Sequence, residues 1–170
     1  MKPVLLIIAP KDFRDEELFE TQEEIEKGGF ETNIASKHTG ECVGVKGGIA
    51  NSIISIEDIM PEAYSAVVFV GGAGSRVYFD DKKVHFIVNT FYKKNQPVAA
   101  ICIAPVILVQ AGLLKNKKAT VYPTEIETIQ DAGAIYTGEP VTQDGKIITG
   151  NGAEASRAFG RAIVMELNKK

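Results

Sequence analysis

The sequence predicts an α/β fold: a single-domain, three-layer sandwich. A mostly parallel, doubly wound sheet carries helices on both faces. Three observations predict it. Short, continuous apolar runs (Val4 to Ala9, Ala66 to Val70, Pro97 to Ile101) have the length and composition of strands buried on both faces. Amphipathic stretches alternate with them, so each strand returns to the sheet through a helix. Length and composition suit one domain: 170 residues, 45% hydrophobic and 24% charged, with no repeat or linker to divide residues 1–170.

Each element has its own signal. Residues 15–27 open with Asp15, Glu16 and Glu17 and stop at Lys27-Gly28-Gly29, an acidic start and a glycine end that mark a helix. Phe30 to Ala35 reads as a strand, and the glycine-rich, β-branched stretch 41–54 as an irregular hairpin. Ser55 to Asp58 has capping-box spacing with Asp in place of Glu, which predicts a short helix. Asp81 to Lys94 is the clearest helix, because Val84, Ile87, Val88 and Phe91 form one apolar stripe. Pro105 to Leu114 reads as a helix with proline in its first turn, and Ala119 to Tyr122 as a strand. Thr124 to Glu127 is a capping box, Asp144-Gly145 a turn before the strand Lys146 to Thr149, and Ala153 to Leu167 the last helix, with Phe159, Ala162 and Ile163 facing in.

The bulk numbers exclude several functions. A net charge of -3 and a pI near 5.5 argue against nucleic acid or an anionic membrane as partner. Cys42 and Cys102 form neither a disulfide framework nor a zinc motif, so no metal and no cofactor is expected. The N-terminal apolar run is short and is read as a strand rather than a leader. No run is long enough to span a membrane. A reducing cytoplasm with both thiols free is the expected setting.

In open α/β sheets, ligands bind beyond the carboxyl ends of the strands. That edge gathers Lys11 to Glu17, Gly71 to Ser75, Cys102, Tyr122-Pro123 and Gly150 to Gly152. Cys102 sits where an apolar strand turns directly into an apolar helix, with the small residues Ala100 and Ala104 two positions either side, as a nucleophile elbow requires. Cysteine in an apolar segment is also an ordinary small core residue; its position at the strand end favours the nucleophile. A helix N-terminus stabilises thiolate over thiol, so the elbow predicts a depressed thiol. Glu17 next to a thiolate would titrate with it and keep its proton. Asp15 and Glu16 read as acids favoured by a helix start, His85 and His38 as solvent-facing, and Cys42 as a bystander.

These motifs together (VLLIIAP with DEEL, AVVFVGG, PVAAICIAP, ATVYP, DGKIITG) resemble the ThiJ/PfpI/DJ superfamily along nearly the whole chain, which implies a flavodoxin-like sandwich. The resemblance implies Cys102 as the reactive cysteine, Glu17 as its acidic partner, and the Gly72 and Ile103 amides as donors near the reacting oxygen. Arg14, Gly71, Ala73, Tyr122 and Asn151 are the candidate pocket residues. It implies a homodimer or higher homo-oligomer, and a glyoxalase- or deglycase-like reaction on small reactive carbonyls. A PfpI-type peptidase and a non-catalytic redox-sensing or chaperone-like protein are the alternatives. Peptidase-like members carry His directly after the cysteine, where this chain has Ile103. The human DJ branch has His at Tyr122 and an acid at Arg14. A flavodoxin-type phosphate or flavin site is disfavoured, since Lys11 to Glu17 holds four acids against two bases.

Overall fold

The computed structural model describes residues 1–169. Its central sheet has seven strands in the order β11-β12-β8-β7-β1-β3-β6. They are β1 (Val4–Ile7), β3 (Thr32–Ser36), β6 (Ile54–Ser55), β7 (Ala66–Phe69), β8 (Val98–Ile101), β11 (Val141–Asp144) and β12 (Ile147–Gly150). All neighbours are parallel except the β11–β12 hairpin, which turns at Gly145. Every residue of β1, β7, β8 and β12 is buried, which is why β1, β7 and β8 read as unbroken apolar runs; in β12 the buried Thr149 interrupts the pattern.

One face is covered by α1 (Asp15–Lys27) and α5 (Ser156–Leu167), through Leu18, Ile25, Phe159 and Ile163. The other is covered by α2 (Lys82–Lys93), α3 (Pro105–Gln110) and α4 (Ile126–Asp131). Val84, Ile87, Val88 and Phe91 form the buried stripe of α2, and Asp81 caps it by accepting the N–H groups of Lys83 and Val84. A three-stranded sheet of β2 (Lys11–Phe13), β4 (Gly40–Gly44) and β5 (Ile49–Ser52) stands beside the carboxyl end of β1. The last pair, β9 (Lys118–Ala119) and β10 (Ile135–Tyr136), lies outside the main sheet.

Several expectations are corrected. Residues 11–13 pair with β4 and are not all loop, although only Phe13 of the three is buried. The helix after Pro105 ends at Gln110, because Gly112 turns the chain at φ +81°. The strand expected over Ala119 to Tyr122 pairs only through Lys118–Ala119. Neither capping box forms: Ser55 Oγ donates to the Asp58 carboxylate, and Glu125 accepts from Thr128 Oγ1 behind a 3-10 turn over Pro123–Glu125.

Candidate active site

Cys102 leaves β8 with φ +65°. Left-handed backbone costs a non-glycine residue about 1–2 kcal/mol, and such strain concentrates at functional sites. The bend follows from its surroundings. Cys102 N–H donates to Gly150 O and its carbonyl accepts from Tyr122 N–H, each within 3.0 Å. Ala100 and Ala104, both fully buried, leave room for the turn. The side chain is half-buried and faces a cavity of about 590 Å³.

Glu17, in the first turn of α1, is 1% exposed. Gly71 N–H donates to its Oε1 at 3.0 Å. Gly71 is glycine for reasons of space: a Cβ there would lie 2.5 Å from Cys102 Cβ and 2.6 Å from Glu17 Oε1. The two functional side chains therefore meet over its bare Cα. Gly72 needs its freedom twice, with φ +96° and the Arg14 nitrogen 2.5 Å from where a Cβ would stand. The Gly72 and Ile103 amides act on the Cys102 thiol in the direction that favours its anion.

Cys102 and Glu17 are two acids in one poorly solvated space. Burial, and then the charge of Glu17, push the Cys102 thiol up, to about 12, and this outweighs the two amides. Burial pushes Glu17 up to about 7, against the bonds from Cys102 and Gly71 that favour its charge. The expected depressed thiol is thus corrected. The elbow does supply donors, but it also buries the sulfur next to a carboxylate. Burial thus holds both groups above their ordinary values, and because each feels the other's charge they titrate as a pair.

Arg14, Ala73, Tyr122 and Asn151 line the cavity as expected, together with Ile103 and Gly72. Gly71 does not line it; it lies behind the pair as a donor and spacer. Gly152 joins the lining residues from the expected sheet edge, and Val45, Arg76, Thr124, Ala153 and Glu154 also line the cavity but were not anticipated. Asp15 and Glu16 do more than favour a helix start. Asp15 accepts the N–H groups of Lys46 and Gly48, at 2.8 and 2.7 Å, clamping the β4–β5 turn beside the site. Glu16 holds Arg14 on one side and Lys46 on the other. His38 is exposed. His85 is half-buried rather than solvated, its Nε2 2.7 Å from Phe79 O. Cys42 is buried in the core beneath α1. Among the described residues, no group of three or more His, Cys, Asp or Glu could hold a metal ion, and no helix is long and apolar enough to cross a membrane.

A strained cysteine after a central parallel strand, a buried glutamate from the first helix and a Gly-Gly turn define a class of flavodoxin-like cysteine proteins. The chain belongs to the DJ-1/PfpI family, whose family model matches residues 2–166. It is 45% identical over 169 residues to an uncharacterized protein of Methanocaldococcus jannaschii, covering 98% of this chain and 82% of that one. It is 30% identical over 146 residues to the protein named deglycase PfpI of Pyrococcus furiosus, covering 85% and 87%. The crystal structure of a ThiJ/PfpI domain protein from Brachyspira murdochii superposes with a TM-score of 0.95 at 29% identity, covering 99% and 98%.

Proposed function

We propose that this protein is a cysteine-dependent enzyme acting on small reactive carbonyls, converting α-oxoaldehydes or their adducts to 2-hydroxy acids. The observation that carries the proposal is the Cys102–Glu17 pair at the cavity floor. Relatives named deglycase support a reaction of this kind.

The chemistry follows from two acids sharing one proton beside the substrate. As Cys102 Sγ attacks the aldehyde carbon, Glu17 takes the thiol proton and passes it to the carbonyl oxygen, which becomes the hydroxyl of a hemithioacetal and leaves Glu17 a carboxylate again. Glu17 then carries a proton from the former aldehyde carbon to the neighbouring keto carbon, while the hydroxyl proton passes to the keto oxygen. The aldehyde carbon is oxidised to a thioester and the keto carbon is reduced to a secondary alcohol, so no external oxidant enters. Water cleaves the thioester, giving the 2-hydroxy acid and free Cys102. The Gly72 and Ile103 amides stand where charge develops on sulfur or on an adjacent oxygen. Peptide hydrolysis would require a proton donor for a leaving amine. Ile103, buried and apolar, stands where a neighbouring histidine could have supplied one.

The test is conversion of methylglyoxal to lactate by the purified protein. Turnover well above a Cys102→Ala control supports the reading, and equal rates reject it. A homodimer is part of the same proposal, supported by the partly exposed apolar side chains Phe19, Val43, Val45 and Ile49 on α1 and the β4–β5 hairpin. Sedimentation analysis decides it. A redox-sensing role is the second reading, favoured by the contrast between half-exposed Cys102 and buried Cys42. Selective peroxide oxidation at Cys102 without turnover would support it instead.

A further inference from the structure

The cavity is large for a triose and its walls carry unequal charge. Cys102 follows β8, in the middle of the mouth. On the β7–β1 side stand Arg76, after β7, and Arg14, before α1. On the β12 side stand Asn151 and Glu154. Two guanidinium groups therefore face the site from one wall.

Arg14 is firmly held and Arg76 only loosely. Arg14 gives its Nε to Glu16 at 2.8 Å. Glu16 is in turn gripped by the Lys46 ammonium, which, against the effect of burial, holds its carboxyl down to about 2. The carboxylate stays charged, and the guanidinium is held by one edge with donors to spare. Arg14 lies close enough to Glu17 and Cys102 to sense the charge of both. Arg76 reaches across to Glu125 at 3.4 Å, a long contact with the arginine 58% exposed, and its face lies over Phe79 at 5.6 Å. Glu125 is mostly buried, at 13% exposure, but it also accepts from Thr128 Oγ1, so Arg76 can leave this long contact for a ligand carboxylate with Glu125 still partnered.

We propose that Arg14 and Arg76 form an anion-recognising wall, and that the natural substrate is an α-oxoaldehyde, or an adduct of one, that carries a carboxylate at the end remote from the carbon attacked by Cys102. The substrate class rests on the carbonyl reading above; the wall itself does not. Planar forks suit a carboxylate, and the cavity volume leaves room for a chain between it and the reacting carbonyl. A neutral triose would leave both guanidinium groups unused.

Two experiments separate the claims. The first needs no turnover. Cys102 displaces iodide from neutral iodoacetamide and from anionic iodoacetate, and the ratio of the two alkylation rates is read by peptide mass spectrometry. The charge of Glu17 and that of Glu154 work against iodoacetate. A wild-type iodoacetate-to-iodoacetamide ratio about tenfold above that of mercaptoethanol, lost in R14Q/R76Q and partly kept in R14K/R76K, supports the wall. A ratio unchanged by R14Q/R76Q overturns it. The second compares kcat/KM for 4,5-dioxopentanoate with that for uncharged 2-oxopentanal of the same chain length. A preference of tenfold or more for the anion, collapsing towards parity in R14Q/R76Q, supports the substrate class. Equal values in the wild type overturn it. Absence of turnover with both substrates, beside a high iodoacetate ratio, rejects the carbonyl reaction and leaves the anion wall standing.

Discussion

Replacing Glu17 with glutamine should stabilise the fold while removing activity. The side chain is 1% exposed, and its carboxyl is raised from 4.5 to about 7. The folded protein therefore holds a proton that the unfolded chain releases between these values. Stability contributed by Glu17 is highest below pH 4.5, falls as pH rises, and reaches its full penalty above 7. At about 1.4 kcal/mol per tenfold in proton affinity, the penalty is on the order of 3 kcal/mol. Glutamine keeps the shape and the acceptor for Gly71 N–H without the charge. Urea unfolding should find Glu17→Gln and wild type alike near pH 4.5. By pH 8.5 the variant should be about 3 kcal/mol more stable, roughly 6–12 °C in Tm for a chain this size. Carbonyl turnover in the same variant should drop by about two orders of magnitude, since the amide takes up no proton from the thiol. Equal stability at pH 8.5, or a gain of the same size at both pH values, would refute the account of a poorly compensated buried charge.

Cys102 alkylation by iodoacetamide in the wild type should rise with pH around a midpoint near 7, as the pair loses its first proton; Glu17→Gln should abolish that midpoint in the same peptide assay. Gly71→Ala would thrust a methyl against Cys102 Cβ and Glu17 Oε1, so kcat should fall by about a hundredfold, with far-UV circular dichroism reporting an intact fold. Glu166 is the opposite case to Glu17. Burial opposes its charge, but donation from Lys146, Lys169 and Gln143 holds its carboxyl down to about 2. Its contribution is complete above pH 4.5 and is lost as pH falls towards 2, so Glu166→Gln should cost about 2–3 kcal/mol in urea melts at pH 7 and little at pH 2.5.

The sheet was legible because its central strands are buried on both faces and so carry unbroken apolar runs. Legibility failed where pairing is short or polar. Lys11–Phe13 has one apolar residue and the wrong look for a strand, yet it pairs with β4. The capping boxes at Ser55 and Thr124 have the right spacing, but the Ser55 hydroxyl bonds the Asp58 carboxylate directly, and a 3-10 turn over Pro123–Glu125 moves the helix start to Ile126, past Thr124. At the site, Cys102 was readable from elbow spacing and its place at a strand end, and Glu17 and Gly72 from the family resemblance; the fold brings all three together. Arg76 and Val45 gave no local signal, since only the folded order of β7 and the β4–β5 hairpin brings them to the mouth. The direction of the Cys102 shift was also out of reach. Donors near a sulfur follow from the chain path, whereas the depth of its burial and the nearness of a second acid do not.

Glu17 and Glu166 show why the site is built at a loss. Both carboxylates are almost fully buried. Glu166 receives two ammonium groups and an amide, and is a very weak base. Glu17 receives one backbone N–H and a thiol, and its affinity for a proton rises about two to three orders of magnitude above an ordinary carboxylate. Moving a proton from a thiol to a carboxylate is uphill by the difference between their affinities. Burial raises Glu17, but it raises the Cys102 thiol by about as much, so the climb stays close to that between the ordinary groups. The roughly 3 kcal/mol that Glu17→Gln would return to the fold is therefore the cost of keeping a carboxylate, rather than an amide, beside the sulfur as a proton acceptor. A third donor on Glu17 would stabilise the protein and weaken the base. Gly71, which gives one N–H and no side chain, holds the balance where it is.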